Sequence, residues 1–112
     1  MSYYKGLPSS IKLGGFDIQV KVVKEIVIEG DKLICYGQYT HDDLLIELRE
    51  QQATAAWAAV TAIHEVMHAI YNERHLQPGD DEERVVNQMS RGITEVLKRN
   101  PKFRAWLIKS LG

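Results

Sequence analysis

Two histidines four residues apart, with a glutamate directly after the first, stand at His64-Glu65-Val66-Met67-His68. Residues at i and i+4 of a helix lie on one face, a turn apart, so both imidazoles of this H-E-x-x-H pattern can bind one ion. Zinc is the ion that such a pair suits. Glu65 is turned about 100° from His64 at 3.6 residues per turn. Its carboxylate therefore stands beside the metal, where it takes a proton from the bound water instead of ligating. Zinc lowers the pKa of that water to about 7 and polarises a peptide carbonyl. Glu65 then passes the proton to the leaving amine. The chemistry expected is zinc-dependent hydrolysis of a peptide bond, with His64 and His68 as metal ligands and Glu65 as general base.

A catalytic zinc site needs a third protein ligand and an open position. The extension H-E-x-x-H-x-x-G-x-x-H is absent, because Tyr71 and Arg74 stand where its glycine and third histidine would be. His75 would lie about 10 Å along the helix axis from His68 at 1.5 Å per residue, too far to share its ion. It reads as a capping or surface residue. His41 precedes Asp42-Asp43 in a turn, has no ligand spacing, and also reads as surface. The acidic run Asp80-Asp81-Glu82-Glu83 opens the following helix, where carboxylates cap free amides and complement the macrodipole. On a helical wheel Glu82 falls near the centre of the face made by Val85, Val86, Met89 and Ile93, and Glu83 toward its edge. Both are candidate third ligands.

The elements that must carry these residues are legible in outline. Residues 16–28 alternate and then cluster in β-branched types, a strand signal. A turn at residues 29–32 and a returning strand over 33–39, with Gly37 a possible bulge, predict a hairpin. A third short strand is expected over 44–48, and it is the candidate edge strand for an extended substrate. Residues 53–73 hold no glycine or proline and predict a helix, apolar almost all round in its first half and therefore central and buried. A second helix should run from Asp80 or Asp81 to residue 99, and Pro101 can start a last one that docks Phe103, Trp106, Leu107 and Leu111. Trp57 and Trp106 read as core, and Tyr71 and Asn72 as packing or support beside the metal. The expected fold is α+β: a three-stranded antiparallel sheet packed on the H-E-x-x-H helix and two C-terminal helices, zincin-like, as a single domain over residues 1–112.

Apolar residues make up 45% of the 112 and charged residues 26%, which argues against disorder. Fourteen Lys and Arg against fifteen Asp and Glu leave a formal charge of −1. Neither nucleic acid nor an anionic membrane is therefore expected as partner, whereas a peptide or protein substrate is. The single cysteine, Cys35, closes no disulfide within the chain and reads as a small apolar strand residue. With no signal-like or membrane-spanning apolar run, a cytoplasmic location is expected.

One longer pattern carries a resemblance. His64-Glu65-x-x-His68-Ala69-Ile70 is followed by Glu83-x-x-Val86-Asn87-x-Met89-Ser90-x-Gly92-Ile93 and then Val96-Leu97-Lys98-Arg99-Asn100-Pro101. This resembles small phage-type gluzincin metallopeptidases. It is similar, more distantly, to the ImmA/IrrE-type metallopeptidases that cleave phage or mobile-element repressors, whose second helix carries E-x-x-A-N-x-F-A. The resemblance spans roughly residues 60–101 and implies Glu83 as the third zinc ligand, with Val86 and Ser90 in the places of small residues and Asn87 in that of the asparagine. Ala69, Val86 and Met89 depart from the repressor-cleaving group, and no separate targeting domain is evident. The competing expectation is a non-catalytic, zinc-stabilised interaction or regulatory protein of phage or mobile-element origin.

Overall fold

The computed structural model describes residues 2–26 and 35–112. Its elements are β1 (Ser10–Leu13), β2 (Phe16–Val23), β3 (Gly37–Thr40), β4 (Leu45–Arg49), α1 (Ala55–Glu73), α2 (Glu82–Arg99) and α3 (Pro101–Leu111). The fold is α+β, a four-stranded mixed sheet followed by three helices. No described helix is long and apolar enough to cross a membrane.

The strand order is β1-β2-β4-β3. β1 and β2 form an antiparallel hairpin that closes at Leu13 and Phe16, with Gly14-Gly15 as its two-residue turn. Gly14 has φ +59°, and a Cβ there would overlap the Glu73 carboxylate. Glycine suits the position on both counts. β2 then pairs with β4 in parallel, from Gln19 opposite Leu45 to Val23 opposite Arg49. β3 pairs antiparallel with β4 alone, through the turn His41–Leu44, where the Leu44 amide donates to the His41 carbonyl at 3.1 Å.

The expected three-stranded antiparallel sheet is corrected in three respects. A further strand, β1, precedes residue 16. The central pairing is parallel, and the strand expected to return beside residues 16–28 sits instead on the far side of β4. The strand at residues 44–48 is interior, so the outer strand next to the helices is β3. The physical reason is that alternation fixes which face of a strand points inward but not which neighbour it takes. Ile18 and Val20 of β2 and Ile46 and Leu48 of β4 all point into the core, and the short His41–Leu44 turn commits β3 to β4. The expected turn at 29–32, together with residues 27–28 and 33–34 of the expected strands, lies outside the described residues.

Thr54 caps α1 by accepting from the Trp57 amide at 3.0 Å. The inward face of α1 carries Ala58, Ala62, Val66, Ala69 and Ile70. The alanines let the sheet, α2 and α3 approach closely, and Leu48 and Ile70 are wholly buried. Burial of each such side chain contributes about 1.5–3 kcal/mol. The helix is not buried all round, however: Trp57 is 49% exposed and Val60 47%. Trp57 is thus a surface residue, in contrast to Trp106, which is buried, stacks on Phe103 and Tyr4, and donates its indole N–H to the Tyr3 carbonyl.

α2 begins with Asp81 accepting from the Arg84 amide and ends at Asn100. The buried Asn100 side chain bonds both the amide and the carbonyl of Lys12, pinning β1 to the α2–α3 corner. Pro101 occupies the first turn of α3. Glu95 is a second tie. Its carboxylate accepts from the Gly14 amide and from Arg99, both at 2.6 Å, and from Arg74 at the end of α1 at 3.2 Å.

α1 and α2 meet at Gly92, where a Cβ would overlap Ile70 Cγ2. Gly92→Ala is therefore expected to destabilise the protein by about 1–3 kcal/mol through overpacking, although alanine is the better helix former by about 1 kcal/mol. A lowered urea midpoint at unchanged m-value checks it. For Glu95, burial alone would raise the carboxyl, but the Gly14 amide, Arg99 and Arg74 together outweigh it and hold its pKa below the ordinary 4.5. A depressed carboxyl stabilises the fold above its unfolded pKa and loses that contribution as pH falls through the folded one. Glu95→Gln should thus lower Tm at pH 7 and match the native protein in acid, below both pKa values.

Candidate metal centre

The site is built where α1 faces β3. Gly37 allows the approach: a Cβ there would lie 2.8 Å from Thr61 Cγ2 and 3.0 Å from Glu65 Oε2. Gln52 joins the two elements, donating to the carbonyls of Tyr36 and Arg49 while its Oε1 lies 3.2 Å from the Thr61 hydroxyl. The strand is thereby fixed against the helix turn that precedes His64.

On that turn and the next, the Nε2 atoms of His64 and His68 converge to 3.1 Å, with the rings edge to face. Two nitrogens on one tetrahedral zinc stand about 3.3 Å apart, given Zn–N of about 2.05 Å. The separation therefore fits a shared ion. The ligating atoms of His64, Glu65 and His68 all lie within 4.8 Å of one another, with both histidines exposed and Glu65 buried. Two imidazoles converging beside a carboxylate suit a divalent cation of zinc's type.

Burial raises the Glu65 carboxyl above its ordinary value, against the opposing pull of His64, His68 and a hydrogen bond from the Tyr39 backbone. That backbone contact follows from the sheet. The Arg49 amide donates to the Tyr36 carbonyl at 2.8 Å, and Gln38 and Thr40 face Glu47 and Leu45. Hydrogen-bonded pairs alternate along an antiparallel ladder, so the backbone groups of Gly37 and Tyr39 point away from β4, toward the open side.

Two hollows flank the histidine pair. One, of about 280 Å3, is lined by Gly37, Gln38, Tyr39, His41, His64, Glu65, His68 and Asn72. The other, of about 400 Å3, is largely apolar and lies between the helices, lined by His64, Met67, His68, Tyr71, Val85 and Met89. Asn72 donates to the His68 carbonyl at 2.9 Å, so it supports the helix as well as lining the first hollow.

The structure brings His64, Glu65 and His68 together and leaves Glu83 apart. Glu83 and Glu82 are exposed in the first turn of α2, and among the described residues neither belongs to the His64 group nor lines either hollow. His75 follows the end of α1 at φ +56°, exposed and donating its amide to the Asn72 carbonyl, as a helix-terminating residue does. His41 lies at the surface, as expected, and the structure adds a second relation. It is exposed, yet it lines the first hollow, and its Nδ1 lies 2.8 Å from the Tyr39 hydroxyl. Its relation to His64 is created by sheet pairing across more than twenty residues of sequence, which local spacing does not encode.

Comparison of the chain with protein-family models, curated proteins and solved structures gives no match.

The raised Glu65 carboxyl has a direct consequence for the metal-free protein. A group whose folded pKa lies above its unfolded one stabilises the fold below the unfolded pKa and loses that contribution as pH rises through the folded pKa. Glu65→Gln should accordingly raise the Tm of the metal-free protein at pH 7, with the gain vanishing below about pH 4. Thermal unfolding in the presence of a chelator reads this.

Proposed function

We propose that the protein is a zinc-dependent metallopeptidase built on the H-E-x-x-H pattern, acting on an extended peptide or protein segment. The observation that carries the proposal is the convergence of His64 and His68 Nε2 at 3.1 Å beside the buried Glu65 carboxylate. It lies in a hollow walled by an outer strand. A motif helix lying against an outer strand also supports a zincin-like reading of the fold.

His64 and His68 would hold the zinc through Nε2. Zinc held there supplies a Lewis acid, which acidifies water and polarises a peptide carbonyl. Glu65 accepts the proton of the attacking water and delivers it to the amine nitrogen as the peptide bond breaks. Its burial suits this task, since a carboxylate with a raised pKa binds a proton more readily at neutral pH. The outward backbone groups of Gly37 and the Tyr39 carbonyl, with the Tyr39 N–H taken by Glu65, offer a substrate strand hydrogen bonds that align a carbonyl with Glu65. The apolar hollow of Met67, Tyr71, Val85 and Met89 is placed to receive an apolar side chain of that strand.

The test is a peptide library incubated with the zinc-loaded protein, with products identified by mass spectrometry and bound zinc measured on the same samples. Native protein should carry one zinc and cleave. Glu65→Gln should retain the zinc and lose cleavage by at least about 100-fold, the low end of a general-base contribution. Cleavage by Glu65→Gln at the native rate would remove Glu65 from the base role, and native protein without zinc would end the metallopeptidase reading.

A further inference from the structure

A zinc ion held by two histidines lacks a ligand, because catalytic sites use three protein donors and keep the fourth position open. Glu65 is committed elsewhere: it is buried against β3 with the Tyr39 backbone on its carboxylate, and peptide hydrolysis needs it unligated. The carboxylates of Glu82 and Glu83 stand at the exposed start of α2, outside the hollow. Of the described residues lining that hollow, the remaining imidazole or carboxylate is His41.

We propose that His41 is the third zinc ligand, giving a three-histidine site whose donors come from α1 and from the β3–β4 turn. The proposal rests on the metallopeptidase reading only in that the site takes zinc. Two observations carry it. His41 shares one hollow with His64 and His68. Its Nδ1 lies 2.8 Å from the Tyr39 hydroxyl, and no hydrogen bond among the described residues occupies Nε2. A metal-ligating histidine characteristically has its other ring nitrogen held by a hydrogen-bonding partner, which fixes the tautomer and the ring orientation. In the tautomer whose Nδ1–H donates to the Tyr39 oxygen, Nε2 carries the lone pair that a metal requires. His41 lies outside the group whose donor atoms stand within 4.8 Å. The His41 side chain is exposed and free to change rotamer toward the pair.

The experiment uses the full chain and zinc alone as probe. Affinity is measured by competition with a chromophoric chelator, and the visible spectrum of the cobalt(II) form reports the donor set. His41→Ala should weaken zinc by more than about 100-fold, as His64→Ala does, and change the cobalt spectrum. Tyr39→Phe should weaken it by about 10-fold, the smaller effect of an outer partner. Free imidazole should restore the cobalt spectrum of His41→Ala, an outcome that a misfolded variant would not give. Glu82→Gln and Glu83→Gln should bind zinc as the native protein does. Native affinity and spectrum in His41→Ala, or loss of zinc on replacing Glu82 or Glu83 instead, would overturn the assignment while leaving the peptidase reading intact. A native chain that takes no zinc would overturn both.

Discussion

The central helix is held at two points by the absence of a side chain. On one side Gly37 lets β3 come within contact of Thr61 and Glu65; on the other Gly92 lets α2 sit against Ile70. α1 carries the histidine pair on the turns between these contacts, so their approach distances decide how wide the hollows beside His64 and His68 are. The alanines of its inner face act in the same sense. A close-packed interior resists even one added methylene, and close approach here is what turns an apolar helix into one wall of a cleft.

Two carboxylates show how one side-chain type is driven in opposite directions. Glu65 is buried where opposing contacts only partly compensate its charge, and its pKa rises. Glu95 is met by an amide and two guanidinium groups, and its pKa falls. The second arrangement is structural: it joins the β1–β2 turn, the end of α1 and the middle of α2. The first costs stability, and sites that do proton chemistry are where such a cost is retained. The division separates the end of α1 that fastens the fold from the stretch that carries the histidine pair.

Much of this was legible in the residues. Composition free of glycine and proline from 53 to 73 and the acidic cap at Asp80 or Asp81 marked the helices, and i, i+4 spacing alone put His64 and His68 on one face. Sheet order was not legible, because Ile18, Val20, Ile46 and Leu48 announce an inward face without naming a neighbour. β1 was missed because Ile11 and Leu13 are too few to establish a period, although Gly14-Gly15 between apolar residues was a hairpin signal. Trp57 was misplaced because hydrophobicity does not reveal on which side a helix runs out of partners. His41 entered the hollow through strand pairing, a relation that no spacing rule captures.

The wall that carries Gly37, Tyr39 and His41 is also the one the fold grips least. Among the described residues β3 is outermost in the sheet, pairs with a single strand, and is joined to it by a turn in which Leu44 adopts φ +48°. That conformation costs a non-glycine residue on the order of 1–2 kcal/mol. The opposite wall, α1, is clamped between glycine contacts and anchored by the Glu95 ties at its end. Accommodation of bulkier or slimmer occupants therefore falls to the exposed β3–β4 turn, which lies beyond the Gln52 and Gly37 contacts that hold the strand to the helix. The cleft has one jaw cast in the core and one sprung at the rim.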